Sequence, residues 1–211
     1  MEWSNQLSQA VQGGNAPDVK AFVQEAIDRG EDINAILDAM LAGMTVVGQK
    51  FKKNEIFVPE VLIAARALNG GLDMVKPLLM ESGVKPKGKA VIGTVEGDLH
   101  DIGKNLVKMM LVGAGLDIID LGVDVPPERF VDEALAHDVD VVCVSALLTT
   151  TMDKMRDVVS TFEARGVRDR VKIMVGGAPV NASFAEKIGA DYYAPDAASA
   201  AEIVTALFAK T

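Results

Sequence analysis

From about residue 89 the chain alternates five times between short apolar runs and amphipathic stretches. KAVIGTV, LDIIDLG, VDVVCVSAL, VKIMVGG and ADYYAP are short and mostly apolar, so each reads as a strand. IGKNLVKMMLVGAG, PERFVDEALAHD, TMDKMRDVVSTFEARG, SFAEKIG and AASAAEIVTALFAK lie between or after them and read as helices. Strands that are apolar on both faces and joined by helices imply an open parallel sheet covered on both sides. In such sheets ligands bind beyond the carboxyl ends of the strands, at a topological switch point. If the strand order is 2-1-3-4-5, strands 1, 3 and 4 adjoin. The loops EGDLHDIG, SALLTTT and GGAP then line one crevice.

The first part of the chain follows a different period. PDVKAFVQEAIDRG, INAILDAMLAGMTVVGQKF and VPEVLIAARALNGGLDMVKPLL space their apolar residues by three and four, the mark of amphipathic helices. The third begins near Pro59, a suitable first-turn residue. A short segment near Gln6 to Gln12 adds a fourth. SGVKPKGKA breaks the pattern and reads as a linker. The expectation is an α/β protein: a helical bundle over residues 1–86, then a Rossmann-like (flavodoxin-like) domain with a five-stranded parallel sheet over residues 87–211.

Composition narrows the classes. The 211 residues are 49% apolar, enough for a sizeable core, yet no apolar run reaches the length of a membrane span. MEWSNQLSQA lacks a basic start and an apolar h-region, so no secretory signal is expected. One cysteine, Cys143, allows no internal disulfide and fits a reducing cytoplasm. A net charge of -9 argues against a nucleic-acid surface, which is usually basic. The expected setting is cytoplasmic, with neither nucleic acid nor membrane as partner.

The chain has two histidines, His100 and His137. His100 lies in EGDLHDIGKN, an acidic loop between the first strand and its helix. A neutral imidazole is a good transition-metal ligand, and its second nitrogen needs an acceptor. Asp98, two residues earlier, is placed to be that acceptor, fixing the tautomer and raising the basicity of the other nitrogen. Gly97, Gly103, Gly176 and Gly177 remove side chains where something large approaches the backbone.

Asp98-Leu99-His100-Asp101-Ile102-Gly103, Ser145-Ala146-Leu147 and Gly176-Gly177 together resemble the cobalamin-binding signature DxHxxG…SxL…GG. The gaps fit as well: 41 residues separate Gly103 from Ser145, and 28 separate Leu147 from Gly176. FKKNEIFVPEVLIAARALNGGLDMVKPLL is similar to the helical cap of cobalamin-dependent methionine synthase and of the corrinoid proteins of methyltransferase systems. The resemblance covers about residues 5–211. It implies a cobalamin or related corrinoid cofactor, cycling through methylcobalamin, Co(I) and Co(II) states, with His100 as the lower axial cobalt ligand in place of the cofactor's own benzimidazole. The displaced nucleotide tail would run between the Gly103, Ser145 and Gly177 loops, with Asp101, Ile102, Leu147, Thr149 and Gly176 also at the cofactor. A relay would continue from Asp98 to Ser145. Phe51, Phe57, Val58 and Val61 align with cap positions that shield the upper face of the corrin.

Plainer readings compete at each position. A histidine in a loop is usually a satisfied polar residue, and only the triple motif overrides that. The pairs His100-Asp101 and His137-Asp138 suggest a metal phosphohydrolase, but two histidines are too few for its ligand set. His137 reads as a helix-end residue, and Cys143 as a buried thiol inside a strand. The loop lacks GxGxxG, so it gives no support for a dinucleotide site. Phe51, Phe57, Val58 and Val61 are as compatible with bundle core as with cofactor contact, and Met40 and Met44 fit core better.

The resemblance implies a methyl carrier, uncatalytic alone. It would work with a substrate-specific corrinoid methyltransferase (for methanol, methylamines, glycine betaine or aryl methyl ethers), an acceptor methyltransferase serving tetrahydrofolate or a thiol, and a reductive activase. Two alternatives stand beside it. A cobalamin-responsive regulator usually carries a basic DNA-binding domain, which is not visible. The small subunit of an adenosylcobalamin mutase generally lacks the helical cap.

Overall fold

The computed structural model describes residues 2–82 and 86–209; residues 83–85, in the middle of the expected linker, lie outside the described residues. Two compact units emerge, Met1–Pro86 with Gly113–Gly115, and Lys87–Val112 with Leu116–Thr211.

The first unit holds four helices: α1 (Glu2–Gln12), α2 (Ala16–Asp28), α3 (Ile33–Lys52) and α4 (Val58–Ser82). The α1 helix begins four residues before the expected Gln6, because nothing in EWSN breaks a helix. Side-chain caps set two of the starts. Asn15 accepts the Asp18 N–H ahead of α2, and Asp32 accepts the Asn34 N–H ahead of α3. Before α4, the Glu60 carboxylate accepts the Phe57 N–H at 3.1 Å. Val61, Ala64, Leu68 and Val75 form a buried stripe along α4, at the spacing of one helical face.

The second unit is the anticipated parallel sheet. Its strands are β1 (Gly88–Val95), β2 (Leu116–Val125), β3 (Val141–Ser145), β4 (Lys172–Gly176) and β5 (Tyr192–Ala194). Their order is β2-β1-β3-β4-β5, and every pair is parallel. The helices are α5 (Ile102–Gly113), α6 (Pro127–His137), α7 (Asp153–Ala164), α8 (Ala182–Lys187) and α9 (Ala197–Phe208). Alternate residues Val91, Val142, Val144, Ile173 and Val175 pack on Phe130, Met155 and Phe162 of α6 and α7. The residues between them, Ile92, Cys143 and Met174, are buried as well, which explains runs without polar alternation.

Register positions the site. Thr94 pairs with Ser145, and Ser145 with Gly176, so the carboxyl ends of three neighbouring strands stand in line. β2 runs three residues past the expected Gly122. Its pairing with β1 shifts twice near that end, from Ile92 opposite Asp120 to Val95 opposite Val125. No helix among the described residues is long and apolar enough to cross a membrane.

Candidate cofactor site

Asp98 is fully buried just past the end of β1, and both its oxygens are occupied. Oδ2 accepts the N–H of Leu147 at 2.8 Å, the N–H of Leu148 at 3.3 Å and the Thr151 hydroxyl at 2.8 Å. Oδ1 accepts the His100 N–H at 3.1 Å and lies 2.7 Å from His100 Nδ1. A buried charge is costly unless it is compensated in this way. Burial pushes the carboxyl up, but the bonds from Leu147, His100 and Thr151 outweigh it and hold it well below the usual carboxylate range. Asp98 is therefore ionised and can only accept, so Nδ1 of His100 carries the proton. In the neutral imidazole this leaves the lone pair on Nε2.

The loop geometry follows from short-range bonds. The Asp98 side chain reaches the N–H two residues on, a local turn that aspartate favours. Thr94, fully buried at the end of β1, donates its hydroxyl to the His100 carbonyl at 2.9 Å. Lys104, buried on the first turn of α5, donates to Asp120 of β2 at 2.7 Å and ties that helix to the sheet. The imidazole itself remains 49% exposed.

The surface around it is unusually apolar. Leu99 and Ile102 are 72% and 75% exposed, and Leu147 and Leu148 are also exposed. Gly103 opens onto free space, since a Cβ there would meet nothing within 4 Å. Gly177 has φ +138, and a Cβ on it would stand 1.8 Å from the Ala146 carbonyl oxygen, so only glycine fits. Among the described residues no cluster of three or more His, Cys, Asp or Glu could hold a metal ion. A lone imidazole with a free lone pair suits a metal that arrives with its other ligands in place. An apolar rim with open glycine positions suits a large flat ring. The residues present thus fit a corrinoid, and a multi-histidine phosphohydrolase centre is not formed by them.

The motif residues come together as the strand order requires. Asp98, His100, Asp101, Ile102 and Gly103 follow β1, with Asp101 exposed and accepting the Asn105 side chain at 3.1 Å. Ser145, half-buried, ends β3; Leu147 and Thr149 lie exposed in the loop after it. Gly176 ends β4 and Gly177 follows it, both half-buried. One expectation needs correction: the hydroxyl on Asp98 belongs to Thr151, and Ser145 is not among the carboxylate's partners. Thr151 and Thr94 were not singled out from sequence. Each is one threonine in an apolar or repetitive context, and only the fold brings it to the loop.

In the helical unit, Phe51 and Val58 are half-buried at the end of α3 and the start of α4. Val61 lies wholly in the buried stripe of α4 and offers no surface to a ligand in this structure, because its position falls on the stripe's spacing. Phe57, Leu62 and Ile63 are the exposed apolar side chains of that stretch. Met40 and Met44 are core residues. His137 lies in the last turn of α6 with Nε2 3.4 Å from Glu133. Cys143 is buried in β3, and burial pushes its thiol up to about 12, so it is no nucleophile.

Both units resemble known proteins. B12 binding domain models match residues 88–204 and residues 3–76. The chain is 37% identical to a corrinoid protein of Desulfitobacterium hafniense over 214 residues, covering 100% of this chain and 99% of the relative. It is 45% identical over 187 residues to dimethylamine corrinoid protein 3 of Methanosarcina acetivorans, covering 86% and 87%. It resembles a chain of the methanol:cobalamin methyltransferase complex of Methanosarcina barkeri with a TM-score of 0.88 and 33% identity, covering 100% of this chain and 81% of that one. A cobalamin-binding protein of Desulfitobacterium hafniense gives a TM-score of 0.80 and 32% identity, covering 96% and 97%. With both units matched, and relatives matched along nearly their full length, the chain belongs to the family of B12-binding corrinoid proteins.

Proposed function

We propose that this protein carries a methyl group on the cobalt of a bound corrinoid, between a substrate-specific methyltransferase that loads it and an acceptor methyltransferase that removes it. The observation that carries the reading is the buried Asp98 with its second oxygen on His100 Nδ1. When bound, the corrinoid supplies a cobalt centre able to take up and release a methyl group. The chain's residues supply the setting. Asp98 fixes the imidazole tautomer and turns Nε2 into the better donor. His100 would offer Nε2 to the cobalt. The exposed Leu99, Ile102, Leu147 and Leu148 would lie against the cofactor and exclude water there. Gly103, Ser145, Thr149, Gly176 and Gly177 leave room for the nucleotide tail, and Asp101 borders the same loop.

The relatives named for dimethylamine and the likeness to the methanol:cobalamin methyltransferase complex support a partner methyltransferase. A second methyltransferase serving tetrahydrofolate or a thiol, and a reductive activase that restores oxidised cobalt, complete the set. The match of a B12 binding domain model to residues 3–76 favours this reading over a mutase small subunit, which generally lacks the helical unit. Phe51 and Val58 are the half-buried candidates for contact on that unit, with Phe57 more exposed.

Paramagnetic Co(II) in the loaded protein should show splitting from one axial nitrogen, altered by nitrogen-15 histidine and unaltered by labelled benzimidazole. His100→Ala should abolish that splitting and retain much of the binding. An unchanged spectrum in His100→Ala refutes the ligation. Methyl transfer to tetrahydrofolate or a thiol should require an added methyltransferase, and rapid transfer by the protein alone refutes the carrier role.

A further inference from the structure

The end of β2 makes two contacts that neither the motif nor the sheet explains. Asp124 has a left-handed backbone, φ 53, at the second shift in β1–β2 register. Its Oδ1 accepts the Gly97 N–H at 2.7 Å, and its own N–H donates to the Asp98 carbonyl at 3.0 Å. The Gly97-Asp98 pair is thus held at its first N–H and its last carbonyl by one residue of the neighbouring strand. Gly97 has φ +80, and the turn is closed by the Asp98 N–H on the Val95 carbonyl at 3.1 Å. The extra residues in β2 are what bring Asp124 there, the usual use of a bulge at the edge of a site. Aspartate tolerates the left-handed conformation that this placement imposes.

We propose that Asp124 is a positioning residue for His100: it holds the backbone of the Gly97–Asp98 turn, and so keeps the Asp98 carboxylate where it can grip the imidazole. The inference rests on the reading of His100 as cobalt ligand. Asp98 has to satisfy two sides at once. Its Oδ2 is held by the β3–α7 loop through Leu147 and Thr151, while its Oδ1 must reach His100 Nδ1. With the carboxylate fixed at one end, a drift of its backbone turns the other oxygen away from the imidazole. Small misplacements of this kind are expensive where orientation matters.

The test loads full-length protein, labelled with nitrogen-15 histidine, with Co(II) cobalamin and measures the fraction of signal carrying histidine splitting. Asp124→Gly relieves the positive φ and removes the acceptor, so it separates backbone strain from the hydrogen bond. That fraction should correspond to a ligation constant lowered about three- to tenfold, the effect of one lost bond. Cobalamin retention in equilibrium dialysis should change less than the ligation constant. Asp124→Asn keeps an acceptor oxygen for Gly97 and should restore wild-type ligation. If Asp124→Gly does not fold, Asp124→Ala replaces it as a residue with no side-chain acceptor for Gly97. Wild-type ligation in Asp124→Gly or Asp124→Ala overturns the inference. Equal loss in Asp124→Asn and Asp124→Gly also overturns it, because a neutral acceptor should suffice. Absence of histidine splitting in the wild type is a different failure: it refutes His100 as ligand, and this inference falls with it.

Discussion

The two ends of the sheet use the same device to different effect. At the amino end Asp191, just before β5, accepts the Ile173 N–H at 2.8 Å and Arg168 Nη2 at 2.6 Å. Arg168 also donates to the Gly189 carbonyl at 2.7 Å and the Val171 carbonyl at 3.2 Å. At the carboxyl end Asp98 likewise accepts backbone N–H groups and holds a nitrogen side chain, His100. The difference lies in the second partner. A guanidinium only donates, so the Asp191 cluster closes on itself and braces β4 against β5. A neutral imidazole that donates through one nitrogen accepts through the other, so the Asp98 cluster can end in an unspent lone pair. A carboxylate with backbone donors marks a rigid point, and the residue it grips decides whether that point is a brace or a site.

The largest expected effect comes from breaking the grip at the carboxyl end. Asp98→Asn turns an amide N–H₂ toward groups that all donate. The fold should lose about 3 kcal/mol or more, as when one partner of a buried charged set is removed. Ligation of Co(II) by His100 should weaken about 10- to 100-fold. Urea unfolding and nitrogen-resolved spectra measure the two, and unaltered ligation would reduce Asp98 to a brace like Asp191.

Asp191→Asn sharpens the contrast. Loss of its charge-assisted bonds should cost about 1.5–3 kcal/mol, with cobalamin retention and histidine splitting unchanged. Both carboxyls also share an acid response. Burial raises Asp191, but the Ile173 N–H and the Arg168 guanidinium outweigh it, so it is held low, as Asp98 is. An unfolded aspartate titrates near ~3.9, so the unfolded chain binds these protons first as pH falls. Their contribution is complete above that value and is lost as pH drops toward the folded values. The urea midpoint should fall below about pH 4, and less steeply in Asp191→Asn.

Most of the α/β unit could be read from sequence, because buried parallel strands are long apolar runs and the loops at their carboxyl ends stand out in polarity. The strand order put the Gly103, Ser145 and Gly177 loops side by side, and the register of Thr94, Ser145 and Gly176 shows why. What escaped depended on contacts between distant segments. Thr151 is one of three consecutive threonines, and nothing local distinguishes the one that turns inward. The extra length of β2 escaped because GVDV has no turn signal until its proline. Val61 shows the limit on a helix: a three-to-four spacing marks a face without saying what covers it.

Val61 also provides a reference outside both carboxylate clusters. Val61→Ala removes two methyl groups from the buried stripe of α4 and should cost about 1–2 kcal/mol. That loss should be the same at neutral and acid pH, since no titrating group is involved. Phe57→Ala, at a 63% exposed position, should change stability by less than about 0.5 kcal/mol. If Val61→Ala lowers cobalamin retention without lowering stability, the residue contacts the cofactor after all, and the stripe along α4 is not simply core.

The smallest effect separates two hydroxyls. Thr151→Val keeps the shape and removes one of the donors to Asp98 Oδ2, leaving the N–H groups of Leu147 and Leu148 in place. The cost should be about 1 kcal/mol, the ordinary worth of one hydrogen bond, with ligation weakened a few-fold through a less firmly held carboxylate. Ser145→Ala should leave both unchanged within about 0.5 kcal/mol, since Ser145 does not touch Asp98. The resemblance that first pointed to the site implied the reverse, with Ser145 continuing the relay. Measured side by side on Co(II)-loaded protein, the two variants decide the matter. A larger shift in Ser145→Ala means that the loaded protein moves the β3–α7 loop to bring serine onto the carboxylate. A larger shift in Thr151→Val means that the relay ends on the threonine that holds Asp98 in the structure.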